Sequence, residues 1–368
     1  MQSKVPVVDY DQRPLMPTTP ARAARWIKSG KATPFWKRGI FCVRLNQEPS
    51  ARNYQPIACG IDPGSRMEGY TVKSSLHQYL NIQAVTVDWV KKHIKTRREM
   101  RRSRRYRKTP CRQPRWNRLR NKIALAPSTK ARWQWKLRIA NWLSKIYPIS
   151  VFVVEDVKAR AYGGKWGITF SPLQVGKDWF YSQLQKLAPV ELLQGHHSLE
   201  RIAALRARRR TPVRAELREQ LSLKKTRNKM AAVFSAHCVD SFALAYSAVG
   251  GLSQPSNKDL LVVTPLRFHR RQLHRLEHAP GQIRSPYGGT ISAGFKRGSR
   301  VQHPKWGLTY VGGEMLKPTK KEPSRKVISL HSIFTGKRLT QSAIPKDIKF
   351  LTYNTWRTQW VTGNKLPA

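Results

Sequence analysis

Three acids and one histidine in this chain have the types and setting to do chemistry together. Asp62 ends a short apolar strand, "IACGID"; Glu155 ends the compact β-branched run "VFVVE"; His237 and Asp240 stand three residues apart in "HCVD". Carboxylate oxygens of Asp62, Glu155 and Asp240 suit Mg²⁺, or Mn²⁺ in its place. Two such ions about 4 Å apart would clamp the attacking water and the leaving oxygen of a phosphodiester. On a helix His237 and Asp240 share one face, and the near-neutral pKa of a histidine suits a general base on that water. Each residue also has a plainer reading. "DPG" is an ordinary turn signal, Glu155 could pair with an arginine, Asp156 beside it could be the ligand instead, and a lone histidine at a helix start usually has a hydrogen-bonded neighbour. The conjunction, in that order, favours a nuclease.

The elements that must position these residues can be read in turn. After "GID" comes a Pro-Gly turn, a second strand with hairpin character and a third, "LNIQAVTVDWV", which together predict a three-stranded antiparallel meander. From Ser128 to Ile146 the spacing of Trp135, Ile139, Trp142 and Ile146 predicts a helix with one buried stripe. "VFVVED" then reads as a strand covered on both faces. "SAHCVDSFALAYSAVG" reads as a helix capped at Ser235 and stopped by Gly250 and Gly251. An α/β fold with two strand ends side by side and a helix bringing a third carboxylate over them fits the RNase H-like catalytic core. Ahead of it, "RPLMPTTPARAARWIKSGKA" predicts a helix capped by Thr18 or Thr19, with Pro20 in its first turn and a basic stripe of Arg22, Arg25 and Lys28. Past "LLVVTP" the composition shifts to short β-prone pieces between Gly and Pro, the pattern of a separate small β domain.

Composition narrows the partners. Of 368 residues 70 are Lys or Arg and 20 are Asp or Glu, a formal charge of +50, which calls for a polyanion. Hydrophobic residues still make up 40%, with 12 Trp, so the chain can bury real cores. No apolar run approaches the roughly 18 residues of a membrane span, and "MQSKVPVVDYDQ" is no signal peptide, so a soluble cytoplasmic protein is expected. Cys42, Cys59, Cys111 and Cys238 stand far apart, which indicates neither a zinc ribbon nor a disulfide framework.

The charge concentrates in "RREMRRSRRYRK", Arg97 to Lys108. In a helix, Arg97, Arg101 and Arg105 stack, as do Arg98 with Arg102 and Arg104 with Lys108, at about 0.2 to 0.5 kcal/mol of repulsion per pair. A solvated face would intersperse acids, and only Glu99 is present, so phosphates are the expected counter-charge for this run, Arg107 included. The density continues through Arg115 and Arg118, which flank Trp116, a candidate platform for base stacking; Trp135 and Trp142 read as core.

"RPLMP", "GIDPGS", an arginine-rich helix directly after the third strand, "VVED" and "HCVD" together resemble the IscB and IsrB proteins, transposon-encoded RNA-guided nucleases. The likeness covers the N-terminal module and nearly all of Ile57 to Pro265. It implies a RuvC-like RNase H core split by a bridge helix, with Asp62, Glu155, His237 and Asp240 as its site. It also implies a guide RNA (an omega RNA), a target DNA with a flanking motif, and a monomer working in a ribonucleoprotein. Between Asp156 and Ala236 there is one adjacent His pair, His196 and His197, one Asn, Asn228, and no Cys, so no HNH nuclease can be assembled; the chain resembles IsrB, which implies a nickase of the displaced non-target strand. Without C-x-x-C pairs it departs from the TnpB group. The expected organisation is a PLMP-type basic module at 1–55, RuvC-like part I at 56–90 and the bridge helix with its basic extension at 91–127. RuvC-like parts II and III follow at 128–265, and a β domain reading the flanking motif at 266–368. Lys296, Arg297, Arg300 and Lys305 are candidates there by charge alone. Two competing readings are a non-catalytic RNA-binding protein and a guide-free junction nuclease.

Overall fold

The computed structural model describes residues 4–49, 51–106, 125–156, 172–193, 218, 221–266, 291–320, 322–353 and 356–362. Arg107, Lys108, Cys111, Arg115, Trp116 and Arg118, the side chains of Arg104 and Arg105, and much of the second basic block lie outside the described residues. The chain divides into two compact units, one of residues 1–33, 43–260 and 362–368, the other of 34–42 and 261–361.

The first unit begins with β1 (Val5–Val8), β2 (Pro14–Thr18) and α1 (Pro20–Lys28), followed by the hairpin strands β3 (Ala32–Lys37) and β4 (Ile40–Leu45), whose tip belongs to the second unit. β1 runs antiparallel to β2 and pairs in parallel with β4 at Val7↔Val43 and Val8↔Arg44. Thr19 is the residue that caps α1: its side chain accepts from the Arg22 amide at 3.3 Å, with Pro20 in the first turn as expected. The strands of this module were not legible beforehand, because Pro14 and Pro17 mask the pattern of β2.

The central sheet follows. β5 (Ala58–Asp62), β6 (Met67–Lys73) and β7 (Gln78–Val85) form the antiparallel meander that the sequence predicts. The helices α2 (Trp89–Tyr106) and α3 (Pro127–Ser144) come next and pack on one another. β8 (Val151–Glu155) then adds in parallel to β5; after α4 (Pro172–Leu184), β9 (Val190–Leu193) adds in parallel to β8. The strand order β7-β6-β5-β8-β9, three antiparallel strands followed by two parallel additions, is that of an RNase H-like sheet. Ala58, Cys59 and Ile61 of β5 and Phe152, Val153 and Val154 of β8 are fully buried, as central strands covered on both faces must be.

The helix α5 (Phe234–Val249) packs across β5, β6, β7 and β8. It begins one residue before the expected cap: Val233 is the N-cap position and makes no side-chain cap bond, while buried Phe234 already belongs to the helix. Burial of an aromatic ring against the sheet, rather than a hydroxyl cap, fixes this end. Gly250 and Gly251, at φ 58° and 78°, stop the helix where the sequence places the stop.

The second unit contains β10 (Leu260–Pro265) beyond its first residue, the short hairpin β11 (Ile291–Ser292) and β12 (Phe295–Lys296), and a five-stranded sheet. The sheet is built from β13 (Ser299–His303), β14 (Gly307–Leu316), β15 (Lys326–Ser332), β16 (Arg338–Ala343) and β17 (Lys349–Tyr353), in the order β16-β15-β14-β13-β17 and antiparallel throughout. The last strand is β18 (Trp356–Val361). Val301, Val311, Ile328, Leu330, Ala343 and Ile348 form the sheet's core. The whole is a mixed α/β protein: an RNase H-like core and a C-terminal small β domain. No helix among the described residues is long and apolar enough to cross a membrane.

One buried cation ties α5 to the sheet. Lys73 on β6 is buried, lies against the rings of Phe242 and Tyr246, and donates to the Gly250 carbonyl at 2.6 Å, where the helix presents its negative end. Burial lowers its pKa to about 8. Above that value the folded protein carries Lys73 neutral while the unfolded chain still binds the proton, up to about pH 10.4. Stability from this group therefore rises between about pH 8 and 10. The thermal midpoint of the unsubstituted protein should climb over that interval more steeply than that of Lys73→Met.

Candidate active site

Asp62 is the last residue of β5, and the register Ile61↔Val154 continues to place it beside Glu155, the last residue of β8. Residues opposite one another on paired strands project from the same face. Both line one cleft of about 400 Å³, together with the turn Pro63–Met67, Lys225, Lys229, Met230 and His237.

His237 reaches this cleft because of a missing side chain. Across from Asp62 in the antiparallel pair is Gly69, and a Cβ there would lie 2.4 Å from the His237 carbonyl. Gly60, two residues before Asp62, is equally confined: its Cβ would meet the Ser241 carbonyl at 1.9 Å. Only glycine at both positions lets α5 rest this close to the sheet. His237 Nδ1 then lies 3.5 Å from Asp62 Oδ2, and its Nε2 is 2.9 Å from the Lys229 carbonyl. A carbonyl only accepts, so Nε2 carries the proton in the neutral ring, which leaves the Nδ1 lone pair turned toward Asp62. That nitrogen is buried and makes no hydrogen bond among the described residues. An imidazole so held presents Nδ1 as an acceptor on the Asp62 side.

Asp240 lies one helical turn further on, fully buried and outside the lining of the cleft. Its Oδ1 lies 2.9 Å from Arg218 Nε as an ion pair, and its Oδ2 pairs with Lys225 Nζ. The structure thus brings Asp62, Glu155 and His237 to one cleft and holds Asp240 behind it under two cations. Asp62 and Glu155 offer hard oxygens at adjacent strand ends, a pair that suits Mg²⁺, which needs only one or two carboxylates besides water. No three His, Cys, Asp or Glu side chains converge as a ligand set among the described residues.

Asp156, the alternative to Glu155, is committed elsewhere. Its Oδ1 accepts from Lys177 Nζ at 3.1 Å and from Tyr181 Oη at 3.0 Å, all three residues being buried. Burial, then the charge of Asp156, raises the Tyr181 pKa, which keeps that hydroxyl a donor. A second buried pair braces the turn after Asp62: Lys136 of α3 pairs with Glu68 and also donates to the Gly64 carbonyl at 3.2 Å. Glu68 accepts further bonds from Tyr70 Oη at 2.8 Å and Thr86 Oγ1 at 3.1 Å.

Arg97, Arg98, Arg101 and Arg102 lie on α2 with exposed side chains, and Glu99 pairs with Lys95 one turn away at 3.9 Å. Sequence reading missed Arg218, Lys225 and Lys229, which vanish among the basic residues around them. Lys136 left a signal that was not used: it falls on the buried stripe of α3 with Ile139, Ala140 and Leu143, and a charge there needs a buried partner.

Residues 5–161, less than half of the chain, match a family profile described as RRXRR protein. The chain carries that pattern as Arg101-Arg102-Ser103-Arg104-Arg105. Among solved structures, Thermus thermophilus RuvC in complex with a Holliday junction substrate is similar at 16% identity and a TM-score of 0.27, over 53% of this chain and 97% of that one. A second Thermus thermophilus RuvC structure is similar at 15% identity and TM-score 0.26, over 53% and 96%. The yeast mitochondrial Holliday junction resolvase Ydc2 is similar at 15% identity and TM-score 0.24, over 52% and 78%. Likenesses at such scores add nothing to the fold read from the strand order. No curated protein matches the chain.

Neighbouring acids with different partners should respond differently to substitution. Asp156→Ala strands the Lys177 ammonium and is expected to cost about 3–5 kcal/mol of stability, read from denaturant unfolding. Glu155→Gln should leave the unfolding midpoint closer to that of the unsubstituted protein.

Proposed function

We propose that this protein is an RNA-guided DNA endonuclease of the IsrB type that nicks the displaced non-target strand. The observation that carries the reading is the convergence of Asp62, Glu155 and His237 on one cleft of an RNase H-like core, in a chain of charge +50 with an exposed arginine face on α2. Asp62 and Glu155 would hold a divalent cation, Mg²⁺ or Mn²⁺, with Asp240 as the third carboxylate. Bound there, the cation supplies Lewis-acid activation and neutralises charge on the scissile phosphate. His237 accepts the proton of the attacking water at Nδ1, held in place by the Lys229 carbonyl at Nε2. Lys225, Lys229 and Arg66 meet the phosphates at the cleft.

The arginine helix, from Arg97 through Lys108, grips guide RNA and its heteroduplex with the target; Arg115, Trp116 and Arg118 extend that surface. Base pairing with the guide then reads the target, and the C-terminal β domain reads a short flanking motif. The interval between the second and third carboxylate motifs offers no HNH constellation, so one site cuts one strand. The working form is a monomer in a cytoplasmic ribonucleoprotein.

The test begins with the RNA that copurifies with the full chain. Sequencing that RNA and supplying a supercoiled plasmid matched to it, with Mg²⁺, should give an open circle and no linear product. Asp62→Ala should lower the nicking rate by about 100- to 1,000-fold or more, the scale of losing a group aimed at transition-state charge, with guided DNA binding retained. Cutting of a four-way junction without RNA, or full nicking by Asp62→Ala, would defeat the reading.

A second expectation concerns the helix. Replacing Arg98, Arg101 and Arg102 by Ala removes up to three phosphate contacts, so the slope of log affinity for RNA against log salt should fall by about 2 to 3 units. An unchanged slope would return the stretch to a solvated face.

A further inference from the structure

Two cations meet Asp240 among the described residues, one at each oxygen: Arg218 Nε at 2.9 Å and Lys225 Nζ. Both cations keep about a fifth of their side chains exposed, at 19% and 20%, so they stand between the buried acid and solvent. Lys225 itself lines the cleft of Asp62, Glu155 and His237. Guanidinium and ammonium groups each have donors to spare and bind phosphate as readily as carboxylate.

The segment bearing these cations is strapped over the first turn of α5. Leu223 N donates to the Arg218 carbonyl at 2.8 Å and Thr226 N to the Ser235 carbonyl at 3.0 Å. Further along, the Lys229 carbonyl holds His237, and the Ala231 carbonyl accepts from Gln83 Nε2 at 3.1 Å. The strap is thus anchored by its backbone, and the Lys225 side chain can change partner without moving it.

We propose that Arg218 and Lys225 hold Asp240 in reserve and that phosphates of a bound nucleic acid draw them away, freeing the third carboxylate to join Asp62 and Glu155. Nucleic acid and divalent cation then bind cooperatively, and the empty protein is protected from loading its full metal site. Linkage makes the effect reciprocal: the cation tightens nucleic-acid binding by the same factor. The inference rests on the metal-dependent nuclease reading.

The experiment uses the full chain freed of RNA, Mn²⁺ as the probe read by electron paramagnetic resonance, and a phosphorothioate DNA strand, with Mn²⁺ uptake by the strand alone subtracted. The unsubstituted protein should bind Mn²⁺ about 5- to 150-fold more tightly with the strand than without it, the usual range of coupling. Lys225→Gln should show most of that gain with no strand present, Lys225→Arg should behave as the unsubstituted protein, and Asp240→Asn should lose the gain. Equal Mn²⁺ affinity with and without the strand in the unsubstituted protein overturns the proposal, even if Lys225→Gln fails to fold. A folded Lys225→Gln that binds as weakly as the unsubstituted protein also overturns it. If Asp62→Asn removes Mn²⁺ binding while strand and Lys225 have no effect, this coupling alone is wrong. If no Mn²⁺ binding depends on Asp62 in any state, the metal-dependent reading falls with it.

Discussion

The contact on which the site depends is the approach of α5 to β5 and β6 at two glycines. Added Cβ atoms at Gly60 and Gly69 would fall 1.9 and 2.4 Å from backbone carbonyls of the helix, distances no carbon–oxygen contact tolerates. The helix rests on bare backbone at these points, and it is fixed in register there by the Thr71 and Ser241 hydroxyls at 2.8 Å. Register matters because His237 is defined by it: a helix lifted by a methyl group at Gly69 would carry the imidazole away from Asp62. The same approach buries Asp240, and a buried charge calls for a paired cation. Close packing and the demand for positive charge are two consequences of one geometry.

That demand recurs through the first unit. Asp9 is met by Arg52 at 2.9 Å, Glu68 by Lys136, Asp156 by Lys177 at 3.1 Å and Asp240 by Arg218 and Lys225. In a chain with 70 basic residues for 20 acids, a buried carboxylate finds a partner easily. Removing either member of such a pair strands a charge in a poor solvent, so each one is a strong local constraint whatever its net contribution. What sets Asp62 and Glu155 apart is place: both form part of a cleft wall, with His237 beside them.

The core was legible in the sequence where burial imposes a simple pattern. β5 and β8 are short apolar runs because both faces are covered; α3 shows its stripe because one face is; Gly250 and Gly251 mark the end of α5 because a left-handed backbone is required there. Asp62, Glu155 and His237 could be placed because they lie at the ends of such elements. α4 and β9 were not foreseen: β9 has only four residues of mixed burial, and the turn of α4 against Trp133 is specified by Gly176 through a contact distant in sequence. The start of α5 was misplaced at Ser235 since a hydroxyl signals a cap locally, whereas Phe234 is recruited by tertiary burial. The partners of Asp240 were hidden for the same reason, since nothing in a basic block says which of its members folds back onto an acid.

The strand order also explains why a basic helix can lie inside an RNase H-like core without disturbing it. β5 and β8 are parallel, so the chain must leave the sheet after the meander and return from the far end, a crossover of at least a dozen residues. The excursion from Thr86 to Ser150 holds α2 and α3. α3 performs the structural part, covering the core with Trp133, Trp135, Ile139 and Trp142 and sending Lys136 to Glu68 and the Gly64 turn. α2 has no such duty, and its exposed arginines can lengthen, shift or repel one another with little effect on the register between Asp62 and Glu155. A chain built this way can vary the length and charge of this excursion without altering where its carboxylates meet, because entropy of loop closure grows only slowly with the length inserted.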